Sequence, residues 1–154
     1  MKKSWNLIGR ISYVLAWPIL YFLFKGTNRT RVIVCSGDKV LFVKDWLGNG
    51  TWKLPGGGVH KNEDPEVAAA RELQEETGIK LPGAKLKKFA TCGISESEMP
   101  YRCYAFEVEV PDVDVSIKRH IVEISDCTWM NYKSALNAPD VSKATQRLLS
   151  LWRQ

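Results

Sequence analysis

Residues 57–79, GGVHKNEDPEVAAARELQEETGI, decide how the chain is read. Gly56, Gly57 and Gly58 follow Pro55, a short polar loop comes next, and then a segment dense in carboxylates. Asp64 is a good N-cap. Pro65 suits the first helical position, where a missing N–H costs nothing, and Glu66 sits at the positive end of the helix dipole. Val67, Ala70, Leu73 and Thr77 recur at helical spacing and are expected to face a core. Gly78 is expected to end the helix. Glu72, Glu75 and Glu76 lie at i, i+3 and i+4, so they crowd one face, where like charges repel by about 0.2–0.5 kcal/mol per pair. Arg71, four residues before Glu75, relieves part of that repulsion. A hard divalent cation such as Mg²⁺ would relieve more, since it prefers oxygen ligands. A carboxylate run is most often a plain solvated helix face; the adjoining glycine turn and helix start weigh against that here.

The same stretch resembles the Nudix box, G-x5-E-x7-R-E-U-x-E-E-x-G-U with U aliphatic. Gly57, Glu63, Arg71, Glu72, Leu73, Glu75, Glu76, Gly78 and Ile79 occupy its specified positions without a departure. The box covers 23 of 154 residues, and the flanking pattern looks similar to the family over roughly residues 30–152. The resemblance implies an α/β fold, a Nudix-type α/β/α sandwich with a mixed β-sheet between helices. It implies hydrolysis of a phosphoanhydride in a nucleoside diphosphate linked to another group. In similar enzymes the positions of Glu75 and Glu76 bind Mg²⁺ or Mn²⁺, that of Glu72 binds metal or orients water, and Arg71 holds the glutamates by salt bridge. A backbone carbonyl at Gly56 is expected on the metal. Glu63 is expected to stabilise the loop rather than touch metal. The general base comes either from the box helix or from a later loop. Glu123, six residues before Trp129, is the candidate for the latter, with Glu96 and Glu98 as alternatives; any of the three can equally be an exposed loop carboxylate.

Substrate identity is less legible. The proline that typically follows the box in ADP-ribose-cleaving relatives is missing; residues 93–96 read Gly-Ile-Ser-Glu. The marks of coenzyme A cleavers and of dinucleoside-polyphosphate cleavers are not apparent. That leaves a nucleoside triphosphate, ordinary or oxidised, or another nucleoside diphosphate derivative. Trp46 and Trp52 are candidates to stack on a base, against a plainer role in core or lip packing. Two non-enzymatic readings stand beside hydrolysis: a silent Nudix-like nucleotide-binding module, and a membrane-surface adaptor. Intact Glu72, Glu75 and Glu76 argue against the first, since a binding module has no need of three crowded acids.

A length of 154 residues, 45% hydrophobic and 25% charged, fits one globular domain with a sizeable core. Cys35, Cys92, Cys103 and Cys127 show no C-x-x-C spacing, and His60 and His120 do not pair with them, so neither a zinc site nor a disulfide framework is indicated. Buried reduced thiols in a cytoplasmic protein are the expectation. The net charge of +5 is uneven. Residues 1–31 carry Lys2, Lys3, Arg10, Lys25, Arg29 and Arg31 and no acid, giving +6; the remaining 16 basic and 17 acidic residues give −1. The basic balance thus belongs to the N-terminal segment, which argues against a broad nucleic-acid-binding surface on the domain.

Residues 1–28 are read as an apolar, basic helical segment and residues 29–154 as the hydrolase domain. Residues 11–24, ISYVLAWPILYFLF, form an uncharged run of 14. As a helix it reaches ~21 Å, short of the ~30 Å hydrocarbon core of a membrane, and Pro18 would kink it. Three readings stay open: a helix on the inner face of a membrane with Trp5, Trp17 and Tyr21 at the interface, a helix packed on the domain or on a second subunit through residues 1–25, and a true span. Downstream, residues 31–35, 39–44, 51–54, 86–94, 101–110 and 121–130 are expected as strands. Tyr104, Phe106, Val108 and Val110 are expected to share one face opposite Glu107 and Glu109, and Asp140 to cap a last helix over 141–152.

Overall fold

In the computed structural model, the described residues are 27–46, 49–81, 86–96, 99–111 and 123–153. The expected N-terminal helix and its membrane or dimer contact fall on residues outside that set, as does Glu98. Among the described residues, no helix is long and apolar enough to cross a membrane.

Five strands form one sheet: β1 (Asn28–Ser36), β2 (Lys39–Asp45), β3 (Lys87–Glu96), β4 (Met99–Glu109) and β5 (Ile124–Asn131). Their order is β3-β4-β1-β2-β5. The β1–β4 pair is parallel and the others antiparallel, so the sheet is mixed as expected. Helix α1 (Pro65–Thr77) packs on one face, while the short α2 (Tyr132–Ala135) and α3 (Lys143–Trp152) lie toward the other.

Strand β1 sits at the centre of the sheet and is buried on both sides, which is why it reads as a continuous apolar run. Val32 and Val34 join Leu41, Phe106 and Val108 under Ala69 and Leu73 of α1. Ile33 and Cys35 join Phe42, Leu54 and Cys103 under Leu148 and Leu149 of α3. Strand β4 puts Tyr104, Phe106 and Val108 on the α1 side, and Val110 just beyond its end joins them, as the alternation predicts. Its other face is not wholly polar: Tyr101, Cys103 and Ala105 are buried there, in the cluster that Leu148 and Leu149 of α3 cover. The four cysteines are free, with Cys35 and Cys103 buried.

Three local expectations are corrected. Val67 is 60% exposed; the inner face of α1 is Ala68, Ala69, Leu73, Glu76 and Thr77. The helix is rotated so that small alanines approach the sheet and a carboxylate turns inward, a phase that apolar spacing alone does not show. The last helix is capped by Ser142, whose Oγ accepts from Thr145 N–H at 3.2 Å, while the Asp140 carbonyl accepts from Trp52 N–H. Residues 51–54 make only isolated bridges, Trp52 with Val141 and Lys53 with Val43.

Candidate active site

The site is built around a gap in the sheet. Strands β1 and β2 are in register only near their connecting turn, at Cys35–Val40 and Ser36–Lys39. Beyond it the two strands part, and the chain from Lys53 to Val59 enters between them. Lys53 exchanges two backbone bonds of 2.9 Å with Val43. Val32 N–H donates to the Pro55 carbonyl, Thr30 N–H to the Gly57 carbonyl, and Val59 N–H to the Asn28 carbonyl, each at 2.9 Å. The glycine turn therefore replaces β2 as the neighbour of β1. Close approach explains its composition. Gly56 has φ 131°, and a Cβ there would lie 2.4 Å from the Thr30 carbonyl oxygen. A Cβ on Gly57 would lie 2.5 Å from the Glu72 carboxylate.

Helix α1 begins as the sequence predicts: Asp64 Oδ1 accepts from Glu66 N–H at 2.7 Å, and Gly78 closes the far end with its N–H on the Gln74 carbonyl. Arg71 is the hub of its outer face. Nε and Nη2 donate to the two oxygens of Glu63 at 2.9 and 3.1 Å. Nη1 donates to Glu72 at 2.9 Å and to Glu75 at 3.2 Å, and Nη2 also reaches the Gly58 carbonyl at 3.0 Å. One guanidinium thus ties loop, helix and glycine turn together, using the planar fork that lysine lacks. The Arg71 bond, helped by the His60 N–H, holds the Glu63 carboxyl down to about 2. The Glu63 bond in turn raises Arg71 above its ordinary value.

Glu76 faces the opposite way. It is 6% exposed, and Oε2 accepts from Gly56 N–H at 2.8 Å. Burial pushes its carboxyl up to about 7, against the pull of Lys53, the Gly56 N–H and Arg31. Lys53 itself pairs with Asp45 at 2.5 Å. Arg31, 4% exposed, donates from Nη1 to the Gly56 and Thr30 carbonyls.

An all-oxygen donor set of three carboxylates suits a hard divalent cation, and a buried carboxylate beside a turn with no room for side chains is a place where such a charge lowers the cost of burial. No three His, Cys, Asp or Glu side chains among the described residues converge into a ready cage. Glu72 and Glu75 are turned onto Arg71 and Glu76 onto the Gly56 N–H, so a cation would compete with these donors. The Gly56 carbonyl, expected on the metal, accepts from Arg31 and would have to be shared.

The remaining candidates lie further out. Glu123 is exposed at the foot of the edge strand β5, where its carbonyl accepts from Trp46 N–H at 2.9 Å. Trp52 is half-buried against the core under α3, with Lys44 Nζ 4.2 Å from its ring centroid, which covers part of the ring a base would need. Sequence reasoning missed Arg31 and Lys53. Their only signal is a charged residue inside or beside an apolar strand.

The family model for the NUDIX domain matches residues 26–151. Nudix hydrolase 10 of Arabidopsis thaliana is 30% identical over 119 residues, 76% of this chain and 42% of that protein. Phosphatase NudJ of Escherichia coli O1:K1 / APEC is 27% identical over 120 residues, 77% of each chain. The chain spans 31%, 42% and 32% of the length of three of the curated relatives it matches. The crystal structure of a MutT NUDIX hydrolase from Burkholderia pseudomallei superposes with a TM-score of 0.69 at 18% identity, over 82% of this chain and 98% of that one, a likeness of fold. Box, fold and family model agree, and the chain belongs to the Nudix hydrolase family.

Proposed function

We propose that this chain hydrolyses a phosphoanhydride bond in a nucleoside diphosphate linked to another group, with Mg²⁺ or Mn²⁺ as cofactor. A nucleoside triphosphate is the first substrate class to try. The carrying observation is the division of labour around Arg71: one guanidinium brackets Glu63, Glu72 and Glu75, while Glu76 is seated separately on the glycine turn. The names of relatives, hydrolases and a phosphatase, support the reaction class.

Glu72, Glu75 and Glu76 would hold the cation, with the Gly56 carbonyl as a further oxygen. Bound there, a divalent cation supplies charge neutralisation on the phosphates and a more acidic water. The protein's own part is to orient the carboxylates, through Arg71 on the outer face and the Gly56 N–H on the inner one. Glu123 is our proposed base, taking the proton of the attacking water; that role requires hydrogen-bond reach in the loaded enzyme. Besides its nucleotide substrate, we propose an anionic membrane surface at the cytoplasmic side as partner for residues 1–25, with packing on a second subunit as the alternative.

The test is release of phosphate or nucleotide from a panel of nucleotide derivatives, with and without Mg²⁺. Turnover should require the metal, and Glu75→Gln should lower it by orders of magnitude without unfolding the chain, since Glu75 is half exposed. A wild-type rate in Glu75→Gln would remove the metal assignment. Glu123→Gln should lower the rate by about 10²–10⁴, the usual worth of a general base, while changing metal affinity less than Glu75→Gln does. An unchanged pH–rate profile in Glu123→Gln would move the base to Glu72 or to the Glu96–Glu98 loop.

A further inference from the structure

Arg31 is a buried charge for which the reaction as described has no use. It is 4% exposed and stands directly before the buried apolar run of Val32, Ile33, Val34 and Cys35 in β1. Removing a guanidinium from water is costly unless its donors are taken up, so its placement calls for a reason. Its parity in β1 is that of Ile33 and Cys35, which pack under α3, whereas Glu76 arrives on α1 from the other face. The two meet at the glycine turn.

Between Pro55 and Gly57, the backbone bonds of the turn leave one carbonyl to a side chain. The Pro55 and Gly57 carbonyls are both held by β1, from Val32 and Thr30 N–H. The Gly56 carbonyl between them goes to Arg31 Nη1. Glycine at φ 131° offers little resistance to rotation of the adjoining peptide, so its orientation must be imposed from outside. Two of the glutamates, Glu76 on the inner face of α1 and Glu72 on the Arg71 side, rest on the residues flanking that peptide. Glu76 takes the Gly56 N–H at 2.8 Å, and the Glu72 carboxylate lies against Gly57, where a Cβ would come within 2.5 Å. We infer that Arg31 is a positioning residue: by holding the Gly56–Gly57 peptide it sets the seat of Glu76 and Glu72. The consequence for metal binding rests on the function proposed above; the positioning itself does not.

The experiment has two readouts on full-length protein. Amide hydrogen exchange in EDTA compares Gly56 with Ile33, a strand amide two residues from Arg31. Mn²⁺ binding, followed by the EPR signal of free MnCl₂, is measured without substrate. Arg31→Lys keeps the charge but ends one bond short of the carbonyl, and Arg31→Gln serves if the lysine is not tolerated. Protection of Gly56 should fall at least tenfold more than that of Ile33, and the Mn²⁺ dissociation constant should rise about tenfold. Gly56 protection that is unchanged, or that falls only in step with Ile33, overturns the inference, since a merely structural role would loosen both alike. Glu76→Gln is the control: if it binds Mn²⁺ as the wild type does, the metal assignment fails while the exchange result still judges Arg31.

Discussion

Glu76 shows at the scale of one residue what the site costs the fold. Its carboxyl is buried and titrates at about 7 instead of 4.5, so the metal-free folded chain binds that proton more tightly than the unfolded chain does. Stability must therefore fall as pH rises from about 4.5 to 7, by an amount on the order of 3 kcal/mol for a shift of this size. Glu63 works in the opposite sense. Held down to about 2 by Arg71, it contributes stability above its ordinary value of 4.5 that is lost as pH falls toward 2. Urea titrations in EDTA should then find greatest stability near pH 5, with a decline on either side. Glu76→Gln should flatten the alkaline side and be more stable than the wild type at pH 8 in EDTA. A wild-type chain equally stable at pH 5 and pH 8 would mean that Glu76 is solvated.

Among the elements, what could be read in advance depended on how local the cause was. The α1 N-terminus was legible because Asp64 and Pro65 act on their own first turn. The Arg71–Glu75 contact was legible because it spans one helical turn. The phase of α1 was not, since a glutamate is turned toward the sheet and pattern reading counts glutamate as outward. The gap between β1 and β2 was not either, because Val32–Pro55 and Thr30–Gly57 are long-range bonds with no periodic signature. That blind spot hid Arg31 and Lys53, whose roles follow from the gap. The last helix gives a clean check on a nearer miss. Ser142 caps it, and Asp140 lends only its backbone carbonyl to Trp52. Ser142→Ala should cost about 1 kcal/mol of stability, and Asp140→Ala should stay within about 0.5 kcal/mol of wild type. Equal losses in chemical denaturation would restore the cap to Asp140. Neither change should alter turnover, because α3 covers the face away from α1.

For the whole molecule, the distribution of charge changes once the fold is known. The sequence places six basic residues before Val32, but two of them belong to the domain. Arg31 is buried at the glycine turn, and Arg29 lies 5.5 Å from the Tyr101 ring centroid. Lys2, Lys3, Arg10 and Lys25 remain, around the apolar run of residues 11–24. If residues 1–25 lie on an anionic membrane, each basic residue near the surface contributes ~1 kcal/mol, so four contribute ~4 kcal/mol, or roughly a thousandfold in partitioning over neutral lipid. Full-length chain should co-sediment with anionic vesicles at low salt, bind neutral vesicles far less, and be released as salt screens the attraction. Reversing Lys2 and Lys3 to glutamate should weaken anionic binding while leaving hydrolysis unchanged, since the glycine turn, α1 and the sheet that seats them begin at Asn28. A chain that stays in the supernatant with anionic vesicles at low salt excludes the membrane reading. The apolar run must then be covered by protein, and sedimentation equilibrium decides whether by a second copy or by the chain's own domain.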